Sequence, residues 1–282
     1  MKIIKNANIK DYTTYKLTGT IKEVVYPENE EELLEILKKI KNKKHKVIGN
    51  GSNLIFINNY NGTIIKLDNL NQIEINENIV KVGAGYNLIK LAIKTANHSL
   101  SGLEFASGIP GTIGGAIYMN AGAYNKEMKD IVKEATIIDE NENIKTLSNK
   151  ELKFAYRKSI LKEKKYICLN ATLILEPKEK EEILNLIKTR KQKRLATQPL
   201  NYPNAGSVFT NPKNDFAGRL IEEAGLKGYK IGDAMISEKH ANFIVNHGHA
   251  SGKDIKELIE FIQKQIKQKY NIELKTEQEI VK

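Results

Sequence analysis

The chain has 282 residues, 40% hydrophobic and 28% charged, which excludes bulk disorder and collagen-like repeats and allows a large core without cross-links. Its one cysteine, Cys168, excludes an intramolecular disulfide and a cysteine-rich metal site. The net charge of +11 admits a polyanionic partner, but Trp is absent and no Arg-rich tract or aromatic–basic repeat is present to stack bases; the excess lysine is read as a surface coat, and nucleic acid is not an expected partner.

The opening MKIIKNANIKDYTTYK is broken by Lys, Asn and Asp and does not read as a secretory signal. No apolar run approaches the roughly 20 residues of a membrane span, so a cytoplasmic protein with no membrane partner is expected. Residues 29–42 place Leu33, Ile36, Leu37 and Ile40 on one helical face, with acids early and lysines late. Short strands are predicted at 46–49, 54–57, 63–67 and 79–82, an α/β beginning. Glycines at 102, 108, 111, 114, 115 and 122, around Pro110, make 101–124 poor material for one long helix. Strands are predicted at 135–138 and 166–175, and a helix at about 179–195. A break at 196–204, with two prolines, predicts a domain boundary. Beyond it come a strand at Ser207–Phe209, a helix from about Asp215 to Ala224, and strand-like segments within 231–246. Residues 252–270 form an amphipathic helix behind a Ser251/Asp254 capping box, and the last dozen residues read as extended.

Four segments carry candidate chemistry. Gly49-Asn50-Gly51-Ser52-Asn53, followed by Leu54, reads either as a tight hairpin turn or as a nest of N–H groups for a phosphate. It is neither a P-loop nor a dinucleotide fingerprint that opens a helix. Residues 107–124 offer many N–H groups among small side chains, either as a packed loop or as a bed for an extended cofactor. Arg157, beside Tyr156 and near Ser159, is a surface cation or a carboxylate-binding fork. Ser207 follows Gly206, but the G-x-S-x-G elbow is absent, leaving a turn serine or a proton donor. His247 and His249 lack a third ligand at zinc spacing, so no metal is expected.

Together these segments resemble the UDP-N-acetylenolpyruvoylglucosamine reductases, flavoenzymes of peptidoglycan precursor synthesis. Thr13-Thr14-Tyr15 to Gly19 resembles the family's N-terminal TT segment, with Thr18 for a glycine. Gly49–Leu54 resembles the G-x-GSNL loop, and SGIPGTIGGAIYMNAGAY at 107–124 the long flavin signature. Tyr156-Arg157-x-Ser159 resembles YR-x-S, and Asn204–Pro212 resembles NAGS-x-F-K-NP with Thr210 for Lys. Residues 225–228 and 237–246 resemble the family's third-domain segment. The tail has Gln278 where the family pattern has Val, so Glu277 is the matching glutamate and Glu279 the neighbour in the alternative register.

The resemblance implies an α/β (α+β) fold: a PCMH/vanillyl-alcohol-oxidase-type FAD-binding module of two subdomains plus a smaller α/β substrate-binding domain. The implied boundaries are 1–70, 71–196 and 197–269, with the tail 270–282 returning to the first. It implies non-covalent FAD, NADPH as co-substrate, and reduction of UDP-N-acetylglucosamine enolpyruvate to UDP-N-acetylmuramate by a monomer. The implied catalytic set is Arg157 and Glu277 at the substrate carboxylate and Ser207 as proton donor. The implied cofactor residues are Gly49, Asn50, Gly51, Ser52, Asn53, Leu54 and Gly83, then Ser107, Gly108, Pro110, Gly111, Thr112, Gly114, Gly115, Ala116, Asn120, Gly122 and Ala123. Tyr156, Asn211, Lys239 and His240 are the substrate candidates. The short spacing from Arg157 to Ser207 implies the subtype without an inserted lid. Other FAD-dependent oxidoreductases of the same superfamily are the rival reading.

Overall fold

The amphipathic stretch after residue 28 forms the helix Glu30–Ile40, as its spacing predicts. Asn29 caps it, its side chain accepting the Glu32 N–H at 2.9 Å. Leu33, Ile36, Leu37 and Ile40 are all buried; burying Leu33 completely contributes about 2 kcal/mol relative to leaving it in water.

The computed structural model describes residues Met1–Lys282, and the chain divides into two compact units, each built from separated stretches. The first comprises Met1–Ile3, Val24–Asn50 and Thr63–Lys193; the second comprises Ile4–Glu23, Gly51–Gly62 and Arg194–Lys282. The strands Thr20–Tyr26 and Tyr60–Lys66 each contribute residues to both. No helix is long and apolar enough to cross a membrane.

The first unit holds a five-stranded antiparallel sheet in the order Ile144–Ser148, Val132–Ile138, Ile167–Ile174, Ile79–Gly83, Ile73–Asn76. Ala135 lies opposite Ala171, and Ala171 opposite Val82, so small side chains line the middle of the ladder. Helix Ile113–Met119 packs on the strand Ile167–Ile174. This helix interrupts the glycine-rich stretch, where the glycines alone argued only against a long one. It forms because both ends are capped. Thr112 Oγ1 accepts the Gly115 N–H at 3.4 Å, and Asn120 closes the last turn in the left-handed region. Burial of Ile113, Ala116 and Ile117 offsets the backbone entropy of the glycines.

The second unit holds a four-stranded antiparallel sheet in the order Asn204–Ser207, Phe243–Asn246, Ala234–Ile236, Lys230–Ile231. Helix Gly252–Tyr270 packs against it behind the reciprocal Ser251/Asp254 capping box. The tail strand Glu279–Val281 pairs in parallel with Leu54–Phe56, Ile280 opposite Ile55. Two expectations shift. The strand expected at Ser207–Phe209 is Asn204–Ser207; the ladder loses register between Asn204 and Ser207, and beyond it the Val208 N–H still donates to Asn242 O while its carbonyl accepts from Glu277 in the tail. The helix expected from Asp215 starts at Ala217, where Asn211 Oδ1 accepts its N–H at 3.1 Å.

Candidate active site

The Gly49–Asn53 turn does not close a hairpin. The strand before it, His45–Ile48, pairs with Tyr60–Lys66, whereas Leu54–Phe56 after it pairs with the tail. Gly51 has φ +62°, and a Cβ there would lie 1.9 Å from Tyr12 O, so no other residue fits. Thr14 N–H donates to Gly51 O at 3.4 Å, while Thr14 Oγ1 is buried with no partner. The N–H groups of Asn50, Gly51 and Ser52 find no acceptor within the fold. Successive unused donors of this kind form a concavity for an anion. Lys66, in the preceding turn's partner strand, is buried and donates from Nζ to Gly49 O at 2.6 Å. Asn53 Nδ2 donates to Glu277 O at 3.1 Å, and Leu54 is buried in its strand.

The glycines of the first unit fall into two groups. A Cβ at Gly83 would lie 2.2 Å from Leu70 O, one at Gly122 2.6 Å from Lys126 O, and one at Gly49 2.5 Å from Thr112 Oγ1. At Gly114 it would meet Ala84 Cβ at 3.0 Å. Close packing within the protein accounts for all four. At Gly111 a Cβ would meet nothing within 4 Å, and at Gly115 only Thr112 Oγ1 at 3.6 Å. The N–H groups of Gly108, Gly111 and Thr112 also lack acceptors within the fold. An open face of bare backbone with unused donors fits an extended, phosphate-bearing cofactor such as FAD. Ser107 Oγ braces this loop by donating to Glu104 O at 2.8 Å, Pro110 is exposed, Ala116 is buried in the core, and Ala123 is half-buried.

This division gives a test. Gly115→Ala is expected to leave thermal stability unchanged or raise it by up to about 1 kcal/mol, because Ala favours an exposed helical position. It is expected to weaken FAD binding. Gly114→Ala is expected to destabilise by about 1–3 kcal/mol through overpacking. Unfolding of the FAD-free protein and an FAD titration by fluorescence quenching read the two effects; parallel stability losses would contradict the division.

Asn120 ties the glycine-rich segment to the Arg157 turn. Its Nδ2 donates to Ala155 O and to Glu127 Oε2, both at 3.0 Å, and its Oδ1 accepts the Lys129 N–H. Its side chain therefore builds the turn rather than the groove. Ala155 and Lys158 exchange two hydrogen bonds around Tyr156 and Arg157. Arg157 has φ +57°, a left-handed conformation that costs a non-glycine residue of order 1 kcal/mol and is held here by that closed turn. One guanidinium nitrogen donates to Gly122 O at 3.0 Å, and the group stacks over the exposed Tyr156 ring at 5.1 Å. Ser159, fully buried, donates to Tyr118 O at 2.8 Å. The YR-x-S residues and the flavin signature thus form one cluster within the first unit.

In the second unit, Ser207 lies at the shifted end of its strand, next to Gly206 at φ +74°. Glu277 N–H donates to Val208 O at 2.8 Å, and Phe209 bridges to Thr276, which registers the tail beside the serine strand. Asn211 uses its side-chain oxygen to cap the helix Ala217–Glu223. A cavity of about 750 Å³ is lined by Gln198, Tyr202, Ser237, Lys239 and His247 among others. Lys239 Nζ donates to Leu195 O at 2.6 Å at its edge. Burial holds the His240 imidazole below its ordinary pKa, which favours the uncharged ring.

Residues 198–281 match the model for the C-terminal domain of UDP-N-acetylenolpyruvoylglucosamine reductase, and residues 21–148 match that of an FAD binding domain. The UDP-N-acetylenolpyruvoylglucosamine reductase of Bacillus licheniformis is 45% identical, over 99% of this chain and 94% of its own length. The chain belongs to the UDP-N-acetylenolpyruvoylglucosamine reductase family. That of Bacillus subtilis is 44% identical over the same shares. The solved reductase from Thermus caldophilus has a TM-score of 0.86 at 35% identity, covering 100% of both chains. The expected fold class, an FAD-binding module with a smaller α/β C-terminal domain, is the fold of this reductase-family chain.

One site-building residue escaped the motif reading: Lys66 is a lone cation in its strand, which was its only signal. Tyr15 and Gln278 lie in motifs already quoted, but they join by a hydrogen bond across 263 positions, and no local pattern marks such a pair.

Proposed function

We propose that the chain reduces the enolpyruvyl ether of UDP-N-acetylglucosamine to UDP-N-acetylmuramate, as an FAD- and NADPH-dependent enzyme of peptidoglycan precursor synthesis. The observation that carries this reading is the end-to-end agreement with the reductases, 45% identity over 99% of the chain. FAD, when bound, supplies the hydride and is reloaded from NADPH. The unused N–H groups at Asn50–Ser52 and, separately, those at Gly108–Thr112 are each suited to an anionic cofactor.

Arg157 and Glu277 are assigned to the substrate carboxylate. Electron density moves there as hydride forms a bond to the terminal vinyl carbon, and a cation and an acid donor placed at developing charge stabilise it most. Ser207 gives its Oγ proton to the adjacent carbon, so one C=C bond is replaced by two C–H bonds; water returns the proton to Oγ. A hydroxyl is a weak acid, so this transfer works only towards an enolate-like carbon. Tyr156, Lys239 and His240 are proposed at the sugar nucleotide, with Asn211 supporting the fold beside them. A cytoplasmic monomer completes the proposal.

The test is an anaerobic visible spectrum of the purified protein. NADPH should bleach the flavin absorption, and the enolpyruvyl sugar nucleotide should restore it. Bleaching without restoration would indicate another FAD oxidoreductase; a colourless protein that cannot be reconstituted with FAD would overturn the whole reading.

A further inference from the structure

The tail residue that departs from the family pattern is buried beside the serine strand. Gln278 is 4% exposed. Its Nε2 faces three main-chain carbonyls: Ala205 O at 3.1 Å, Gly206 O at 3.3 Å and Ser207 O at 3.4 Å. Its Oε1 accepts the Tyr15 hydroxyl at 2.9 Å, and Tyr15 is fully buried. Carbonyls only accept and that hydroxyl needs an acceptor, so the amide can sit only this way round. Asn246 anchors the far end, donating to Tyr15 O at 2.9 Å while its Oδ1 accepts the N–H groups of Gly248 and Ala250.

The carbonyls held by Gln278 belong to the segment where the ladder loses register around Gly206. A change of register weakens ladder pairing, and a buried carbonyl left unpaired is costly. A Cβ at Gly206 would meet nothing within 4 Å, so packing against that residue does not hold its conformation. Two side-chain amides hold it: Asn204 Oδ1 accepts the Gly206 N–H at 3.0 Å, and Gln278 Nε2 faces the three carbonyls. The backbone dihedrals of Gly206 and Ser207 set the direction of Ser207 Oγ.

We propose that Gln278, anchored by Tyr15, is a positioning residue that aims the Ser207 hydroxyl for proton delivery. Valine, which the family pattern carries there, can neither donate to the carbonyls nor accept from Tyr15. In this chain the polar chain Asn246–Tyr15–Gln278 serves that purpose. The inference rests on the role proposed for Ser207.

The experiment compares Ser207→Ala, Gln278→Met, Tyr15→Phe and the Tyr15→Phe/Gln278→Met double variant in the flavin-loaded enzyme. Methionine keeps the length of glutamine and removes both hydrogen-bonding ends; phenylalanine removes one oxygen atom. For Gln278→Met, kcat with the sugar nucleotide should fall by about 10- to 100-fold. KM should stay near its wild-type value, and bleaching by NADPH should be unchanged. The solvent deuterium isotope effect on kcat should rise, because proton delivery becomes the slow step. Tyr15→Phe should shift both quantities in the same direction, and the double variant should match Gln278→Met, because the two act as one unit. Full turnover in Ser207→Ala would remove the serine's role and this inference with it. If Ser207→Ala stops turnover while Gln278→Met and Tyr15→Phe keep wild-type kcat and isotope effect, the inference alone falls. Equal loss of both half-reactions in Gln278→Met and in Tyr15→Phe would also overturn it, leaving a purely structural amide.

Discussion

Ser207→Ala is expected to leave bleaching of the flavin by NADPH at its wild-type rate and to slow reduction of the sugar nucleotide by about 1,000-fold, the middle of the range for a lost general acid. The substitution removes one oxygen atom. The neighbours that shape the strand act on the main chain: Gln278 Nε2 reaches Ser207 O, and Phe243 pairs with Ser207 in the ladder. The alanine variant should therefore fold as the native chain does, and thermal unfolding would check this. NADPH bleaching needs no proton from Ser207, because the flavin takes hydride in that step. Single-turnover absorbance traces separate the half-reactions. Equal losses in both would move Ser207 from proton donor to structural residue.

Arg157→Lys is expected to lower turnover by about 100- to 1,000-fold, the scale for one lost donor at developing charge. Lysine keeps the charge but not the planar fork that binds a carboxylate through two parallel bonds. It also keeps a Cβ at φ +57°, so the strain of the turn is the same before and after. The comparison thus reports on the fork and not on the backbone. Arg157→Gly is the control: it relaxes the backbone, and glycine at a positive φ should raise stability or leave it unchanged while activity is lost. Steady-state kinetics with the sugar nucleotide, beside unfolding curves of both variants, would show the two effects moving apart. An active Arg157→Lys enzyme would refute the fork.

Two elements were legible because their signals are local. The helix Glu30–Ile40 combines an apolar face with a capping asparagine, and the helix Gly252–Tyr270 combines a longer apolar face with a capping box. Each needs only neighbours three or four positions away. The glycine-rich signature was equally visible as a composition. Its meaning was not, because Gly114 and Gly115 look alike in sequence. Only the packing separates them: a Cβ on Gly114 would lie 3.0 Å from Ala84 Cβ, and one on Gly115 would meet only Thr112 Oγ1 at 3.6 Å. Asn120 and Asn211 read as ligand residues in their motifs, yet their side chains close a turn and cap a helix.

The amino-acid sequence by itself determined the family and the cofactor and proposed residues for the chemistry, because these reside in short contiguous motifs. Tertiary structure alone decided which glycines are packed against the protein and which lie open, that Lys66 grips Gly49, and that Gln278 faces the carbonyls of the serine strand. It also decided that each unit gathers separated stretches, with the tail laid beside residues more than two hundred positions earlier. The physical reason is the same in each case. A buried polar group needs a partner, whatever its distance along the chain, and a sequence pattern records only the partners that lie within a few residues.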